Sequence, residues 1–155
     1  MSVGDICNRD AVIIGKSDSI YTAAVLMRDQ HVNYVVVVES QQGNNIPIGA
    51  VTEREIVVDM VAERLDLDTV SVGEVMKPQL VMANEEDDVM KTLKRMRHTS
   101  LRCIPVINAD KTLVGILSVD DILDRLSELL SDIGHILTRQ QTFAHEKVFD
   151  KWEYR

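Results

Sequence analysis

Four residues near the start of the chain, Val3-Gly4-Asp5-Ile6, return as Val72-Gly73-Glu74-Val75, an offset of 72 − 3 = 69. The same offset carries Val12 to Val81, Asp18 to Asp87, Met27 to Met96, Arg28 to Arg97 and Val37 to Val106. After the polar stretch Ser40 to Asn45 it falls to 115 − 49 = 66, so the first copy has three extra loop residues. Gly49-Ala50-Val51-Thr52-Glu53-Arg54-Glu55-Ile56 then lies over Gly115-Ile116-Leu117-Ser118-Val119-Asp120-Asp121-Ile122. A repeat of this length is a repeat of structure. A copy of about 60 residues buries too little apolar surface to be comfortably stable alone. The expected unit is therefore two copies packed through their sheet faces about a pseudo-twofold axis, with a cleft between them lined by equivalent loops.

Each copy reads as strand, helix, strand, strand, helix, an α/β (α+β) order of β-α-β-β-α. In the first, Val12 to Ile14 is a short strand, and Ser17 or Asp18 caps a helix whose apolar face is Ile20, Ala23, Ala24 and Met27. The β-branched run from Asn33 to Glu39 is a well-buried strand. Ile46 to Val51 is the next strand, and Thr52 opens a helix through Ile56, Val57, Met60 and Val61. In the second copy, Cys103 to Ile107 and Leu113 to Leu117 flank the turn residues Asn108 to Lys111 and form a hairpin. The divisions drawn from this pattern are 1–71, 72–126 and a C-terminal helical extension with tail, 127–155. Ile122, Leu126, Leu129, Leu130, Ile133, Ile136 and Leu137 mark one face of the extension, interrupted in propensity only by Gly134. That face either packs on another subunit or folds back on its own module. From Thr138 the chain is polar, with Phe143, Phe149, Trp152 and Tyr154 scattered along it; it docks on a partner or frays.

A net charge of −8 argues against nucleic acid, which demands clustered Lys and Arg, and equally against an anionic membrane surface. The longest aliphatic run, Val35 to Val38, is far short of a membrane span, and the first residues lack a signal peptide's basic and apolar regions. Cys7 and Cys103 lie in apolar surroundings without a CxxC partner and read as reduced thiols of a cytoplasmic protein.

The polar signal lies at the strand-to-helix junctions. Ser118 ends a strand and Asp121 follows three residues later, where a new helix still has unpaired N–H groups; Thr52 and Glu55 repeat the pattern. A hydroxyl with an acid in the first turn is also an ordinary helix cap. Gly15-Lys16-Ser17 lacks the upstream glycine of a P-loop, since position 10 is Asp. The four histidines and two cysteines have no metal-ligand spacing, and Thr52 and Ser118 have no base beside them. The expectation is a protein without catalysis and without a metal.

Laid out in this way, the doubled pattern resembles tandem cystathionine-β-synthase (CBS) domains, the pair called a Bateman module. Its carriers are the two Val-Gly-acid-apolar starts, Met27-Arg28 and Met96-Arg97, Ile104-Pro105-Val106, and the two Gly-apolar-apolar-Thr/Ser-x-x-acid endings. The resemblance spans residues 3 to about 126. It implies an adenosine-containing ligand in the cleft (AMP, ADP, ATP or S-adenosylmethionine) whose binding regulates a downstream protein, and it implies homodimerisation. It also implies roles. Ser118 and Asp121 are the phosphate-proximal hydroxyl and ribose-binding carboxylate; Met82, Ala83, Cys103, Ile104 and Pro105 wall the base; Arg102, Arg54 and Lys16 offer charge to phosphate. In the first copy Glu55 replaces the usual aspartate and Val36 stands opposite Pro105, with bulky Tyr34 beside it. The site around Thr52 and Glu55 is therefore expected to be weaker or empty. The competing expectation is a structural module with a vestigial cleft, assembled through its last helix.

Overall fold

The β-branched run after Asn33 forms the middle strand of a three-stranded sheet, which is why its valines are covered on both faces. Strand β2 (Tyr34–Gln41) pairs in parallel with β1 (Ile13–Gly15) and antiparallel with β3 (Asn44–Thr52). Val35, Val36 and Val37 are fully buried. A second sheet has the same plan: β5 (Cys103–Ile107) lies between β4 (Ala83–Asn84) and β6 (Leu113–Ser118). Both middle strands carry an irregularity at equivalent places, Val37/Val38 and Val106/Ile107. The computed structural model describes residues 1–149, with side chains as far as Thr138. Trp152 and Tyr154, and the side chains of Phe143 and Phe149, lie outside the described residues.

Several boundaries differ from the sequence reading. The first copy's extra residues lengthen a hairpin instead of making a loop, because Gln42 and Gly43 both take positive φ, the turn that matches strand twist. Helix α1 (Ile20–Gln30) is capped by Ser19, whose Oγ accepts from the Thr22 N–H at 3.2 Å. Asp18 instead closes the preceding turn, accepting from the Gly15 N–H at 2.9 Å. The helix expected from Thr52 to Val61 is α only at α2 (Glu53–Glu55) and continues as a π-helix over Ile56–Val61. Ile56 and Met60 are buried along it, and apolar spacing alone does not separate the two windings. Helix α4 (Val89–Thr99) matches α1: His31 and Ser100, at equivalent positions, both end their helices at φ 55°.

The openings of the two copies are traded. Residues Val3–Asp5 form a 3₁₀ turn that docks on the second sheet's side, with Val3 N–H on the Asp87 carbonyl, Gly4 N–H on Glu85 (both 2.8 Å) and Asn8 N–H on Ile116 (2.9 Å). Helix α3 (Val72–Val75) does the same to the first copy, with Val72 N–H on Asp18 (2.7 Å), Gly73 N–H on Lys16 (2.8 Å) and Lys77 N–H on Ala50 (3.1 Å). These contacts map onto each other under the offsets of 69 and 66, so the pseudo-twofold relation holds at the level of single hydrogen bonds. Val72 belongs to the first copy's core, beside Ile14, Ile20, Val35 and Val51, and Val75 and Met76 pack against it.

The chain divides into two compact units, Met1–Val119 and the stretch from Asp120 on. The latter is carried by the long helix α5 (Val119–Phe149), which begins with two aspartates in its first turn and reaches Phe149, inside the region read as a tail. Its apolar residues from Leu123 to Leu137 are 40 to 70% exposed.

Candidate functional site

At the C-terminal end of β3 the chain turns directly into α2, and Thr52 is the N-cap. Its backbone N–H donates to Glu55 Oε2 at 2.9 Å, and its hydroxyl donates to the same oxygen. This capping box satisfies donors that a helix start otherwise leaves open. It also pulls the Glu55 carboxylate inward until its side chain is 5% exposed. The other carboxylate oxygen, Oε1, accepts an ion pair from Lys77 Nζ at 2.6 Å. Burial pushes the Glu55 carboxyl up, but the hydrogen bonds from Lys77 and Thr52 outweigh it and hold the group below its ordinary range. Glu55 is thus a buried, ionised carboxylate with donors on both of its oxygens.

Lys77 reaches this point because of the traded openings. It follows α3, and its own N–H on the Ala50 carbonyl pins it beside β3. Ammonium and carboxylate therefore come from different copies of the repeat.

Around the pair lies a cavity of about 290 Å³. From the first copy it is lined by Asn33, Tyr34, Thr52, Glu53, Arg54 and Glu55, with Lys77 beside them; from the second, by Ser100, Leu101, Arg102 and Cys103. Asn33 and Arg102 are repeat equivalents, as are Tyr34 and Cys103, so the beginnings of the two middle strands meet here. Each beginning is held by its own helix junction: Glu53 N–H donates to the Asn33 carbonyl (3.1 Å) and Val119 N–H to the Arg102 carbonyl (2.9 Å). Tyr34 lies across from Thr52, and Cys103 across from Ser118. Burial, with smaller contributions from Cys103 and Glu55, raises the Tyr34 hydroxyl well above its ordinary value, so it stays a neutral donor. Three cations, Arg54, Lys77 and Arg102, face a space with two glutamates, one of them consumed by Lys77. In a chain of charge −8 this is a local reversal of sign.

Of the residues singled out from sequence, Thr52, Glu55, Arg54, Tyr34, Arg102 and Cys103 line this one cavity. Ala83, Ile104 and Pro105 are buried in the second sheet, with Ala83 opposite Val106, and Met82 is half-buried just before β4. Ser118 closes β6 and Asp121 lies in the first turn of α5. Lys16 does not line the cavity; its ammonium pairs with Glu39 at 2.8 Å. Sequence reasoning passed over Lys77, Asn33, Glu53, Ser100 and Leu101. Lys77 had a signal in the repeat itself: under the offset of 69 it lies over uncharged Asn8, a charge difference at otherwise matching openings. Among the described residues no group of His, Cys, Asp and Glu is arranged to hold a metal ion, and no helix is long and apolar enough to cross a membrane.

The family model for the CBS domain matches twice, at residues 3–61 and 72–128. The chain belongs to the CBS-domain family. The pair is similar in sequence to an uncharacterized protein of Methanopyrus kandleri, 28% identical over 91% of this chain and 70% of that one. Among solved structures it is similar to the hexameric CBS-CP12 protein of bloom-forming cyanobacteria, with 32% identity, a TM-score of 0.69, and coverage of 79% of this chain and 69% of that one. It is also similar to a CBS domain protein of Pyrobaculum aerophilum complexed with AMP, with 26% identity, a TM-score of 0.71, and coverage of 78% and 89%. The two three-stranded sheets with their helices, followed by a C-terminal helix, are thus a CBS pair with an extension.

Proposed function

We propose that this CBS pair is a non-catalytic regulatory module that binds an adenosine-containing nucleotide between its copies and passes the bound state to a partner protein in the cytoplasm by altered packing. The observation that carries the reading is the cation-lined cavity where the starts of the two middle strands meet, in an otherwise acidic chain. The AMP complex of the Pyrobaculum aerophilum relative supports the ligand class.

In this reading the principal site belongs to the second copy. Ser118 offers its hydroxyl to phosphate, and Asp121 accepts from both vicinal hydroxyls of a ribose, which an ionised carboxylate, being acceptor-only, does at once. Met82, Ala83, Cys103, Ile104 and Pro105 supply the apolar wall for the base, and Arg102 and Arg54 the counter-charge. The first copy's site, around Thr52, Glu55 and Tyr34, is the weaker one, because Glu55 is a methylene longer than the usual aspartate, bulky Tyr34 adjoins it, and an ammonium from the other copy sits on its carboxylate. Two chains associate, with the apolar face of α5 as a contact.

The test is a thermal-shift panel of AMP, ADP, ATP, S-adenosylmethionine and GTP. A saturating ligand stabilises by about 2.7 kcal/mol at a hundredfold excess over Kd. The expected outcome is a shift confined to adenine ligands, lost in Asp121→Ala and largely kept in Glu55→Ala. Equal losses in the two variants would refute the ranking of the sites, and no shift in ligand-free protein would leave a structural module.

A further inference from the structure

Glu55 is built like a ligand-binding carboxylate and is already liganded. One oxygen takes both donors of Thr52, and the other takes the Lys77 ammonium at 2.6 Å, with the glutamate 5% exposed and the lysine 68% exposed. The lysine is therefore anchored at its tip and reaches in from the solvent side, across the mouth of the group it neutralises. A ribose diol approaching Glu55 would have to displace a charged donor with two neutral ones, and charge-assisted bonds are the stronger. At the matching position the second copy has Asn8, which holds the Ile116 backbone as Lys77 holds Ala50 but brings no charge; its side-chain oxygen accepts instead from the Asp10 N–H at 2.8 Å. The two copies thus share a backbone clasp and differ in what that clasp projects.

We propose that Lys77 is a built-in occupant of the first copy's carboxylate, the residue that makes the two clefts of this pair unequal and limits the chain to one nucleotide. The inference rests on the nucleotide-binding reading above. It assigns specificity to a residue outside the copy whose site it closes.

The experiment is a calorimetric titration of AMP into the full chain as wild type, Lys77→Asn (the second copy's solution), Lys77→Met (length without charge) and Lys77→Asn combined with Glu55→Gln. Circular dichroism and melting of each variant establish folding, and the methionine variant serves if the asparagine one does not fold. The expected result is one equivalent of AMP per wild-type chain, a second equivalent in either single variant with at least tenfold tighter binding at the new site, and its loss in the double variant. Folded single variants that bind no more AMP than wild type overturn the role of Lys77 while leaving the nucleotide reading standing. Two equivalents in the wild type also overturn it. No AMP on any of the four proteins overturns the inference, and if no adenine ligand of the panel shifts the melting either, the nucleotide reading falls with it.

Discussion

At the scale of the residue, Glu55 has a pH signature. Its folded value lies below its ordinary one, so the folded state binds that proton less tightly than the unfolded state. The contribution to stability is complete above the ordinary glutamate value of about 4.3 and is lost as pH falls through the lower folded value. Denaturant titrations of wild type and Glu55→Gln should therefore show an advantage for wild type at neutral pH that shrinks below about pH 4; a gap constant down to pH 3 would mean that the charge is not what holds the site. Glu55 was legible in the sequence as a candidate, because the hydroxyl-x-x-acid pattern recurs at both junctions. Its pairing with Lys77 was not, although the repeat marks Lys77 by a charge that Asn8 lacks. Lys77 is 22 positions away in a different copy of the repeat, and nothing local to either residue points to the other.

At the scale of the element, the hydrophobic pattern was informative about strands and less so about what joins them. β2, β5 and β6 follow from β-branched runs and turn residues, whereas a two-residue turn with positive φ at Gln42 and Gly43 reads in sequence as an open polar loop. The π-winding of Ile56–Val61 has no counterpart in apolar spacing either. Glycines of β3 and β6 carry a difference that only the clasps explain. A Cβ on Gly115 would lie 2.5 Å from the Asn8 carbonyl oxygen, part of a backbone that is itself hydrogen-bonded to Ile116, whereas one on Gly49 would first meet the Met76 Sδ. A thioether swings aside more readily than a paired backbone. Gly115→Ala should cost about 1–3 kcal/mol and Gly49→Ala less, as read by urea unfolding; the opposite order would place the rigid clasp in the first copy.

At the scale of the whole molecule, the offset of 69 was enough to read a paired architecture, a shared cleft and a final helix beyond the repeat, because equivalent sequences require equivalent units. It gave no sign that the openings are traded, since a segment that docks on its own sheet and one that docks on its neighbour's have the same periodicity. The apolar face of α5, Leu123 to Leu137, is the kind of surface that marks an interaction site. Light scattering of the purified chain is expected to return twice the chain mass, and Leu130→Asp to return a single chain that keeps its far-ultraviolet spectrum. The traded openings have a consequence for how the pair holds together. Topologically it is a domain-swapped dimer whose two protomers are spliced end to end, and the connection from Ala62 to Ser71 replaces the encounter that two separate copies would have to make. Peeling either opening away strips a clasp from the opposite sheet, so neither half can loosen by itself.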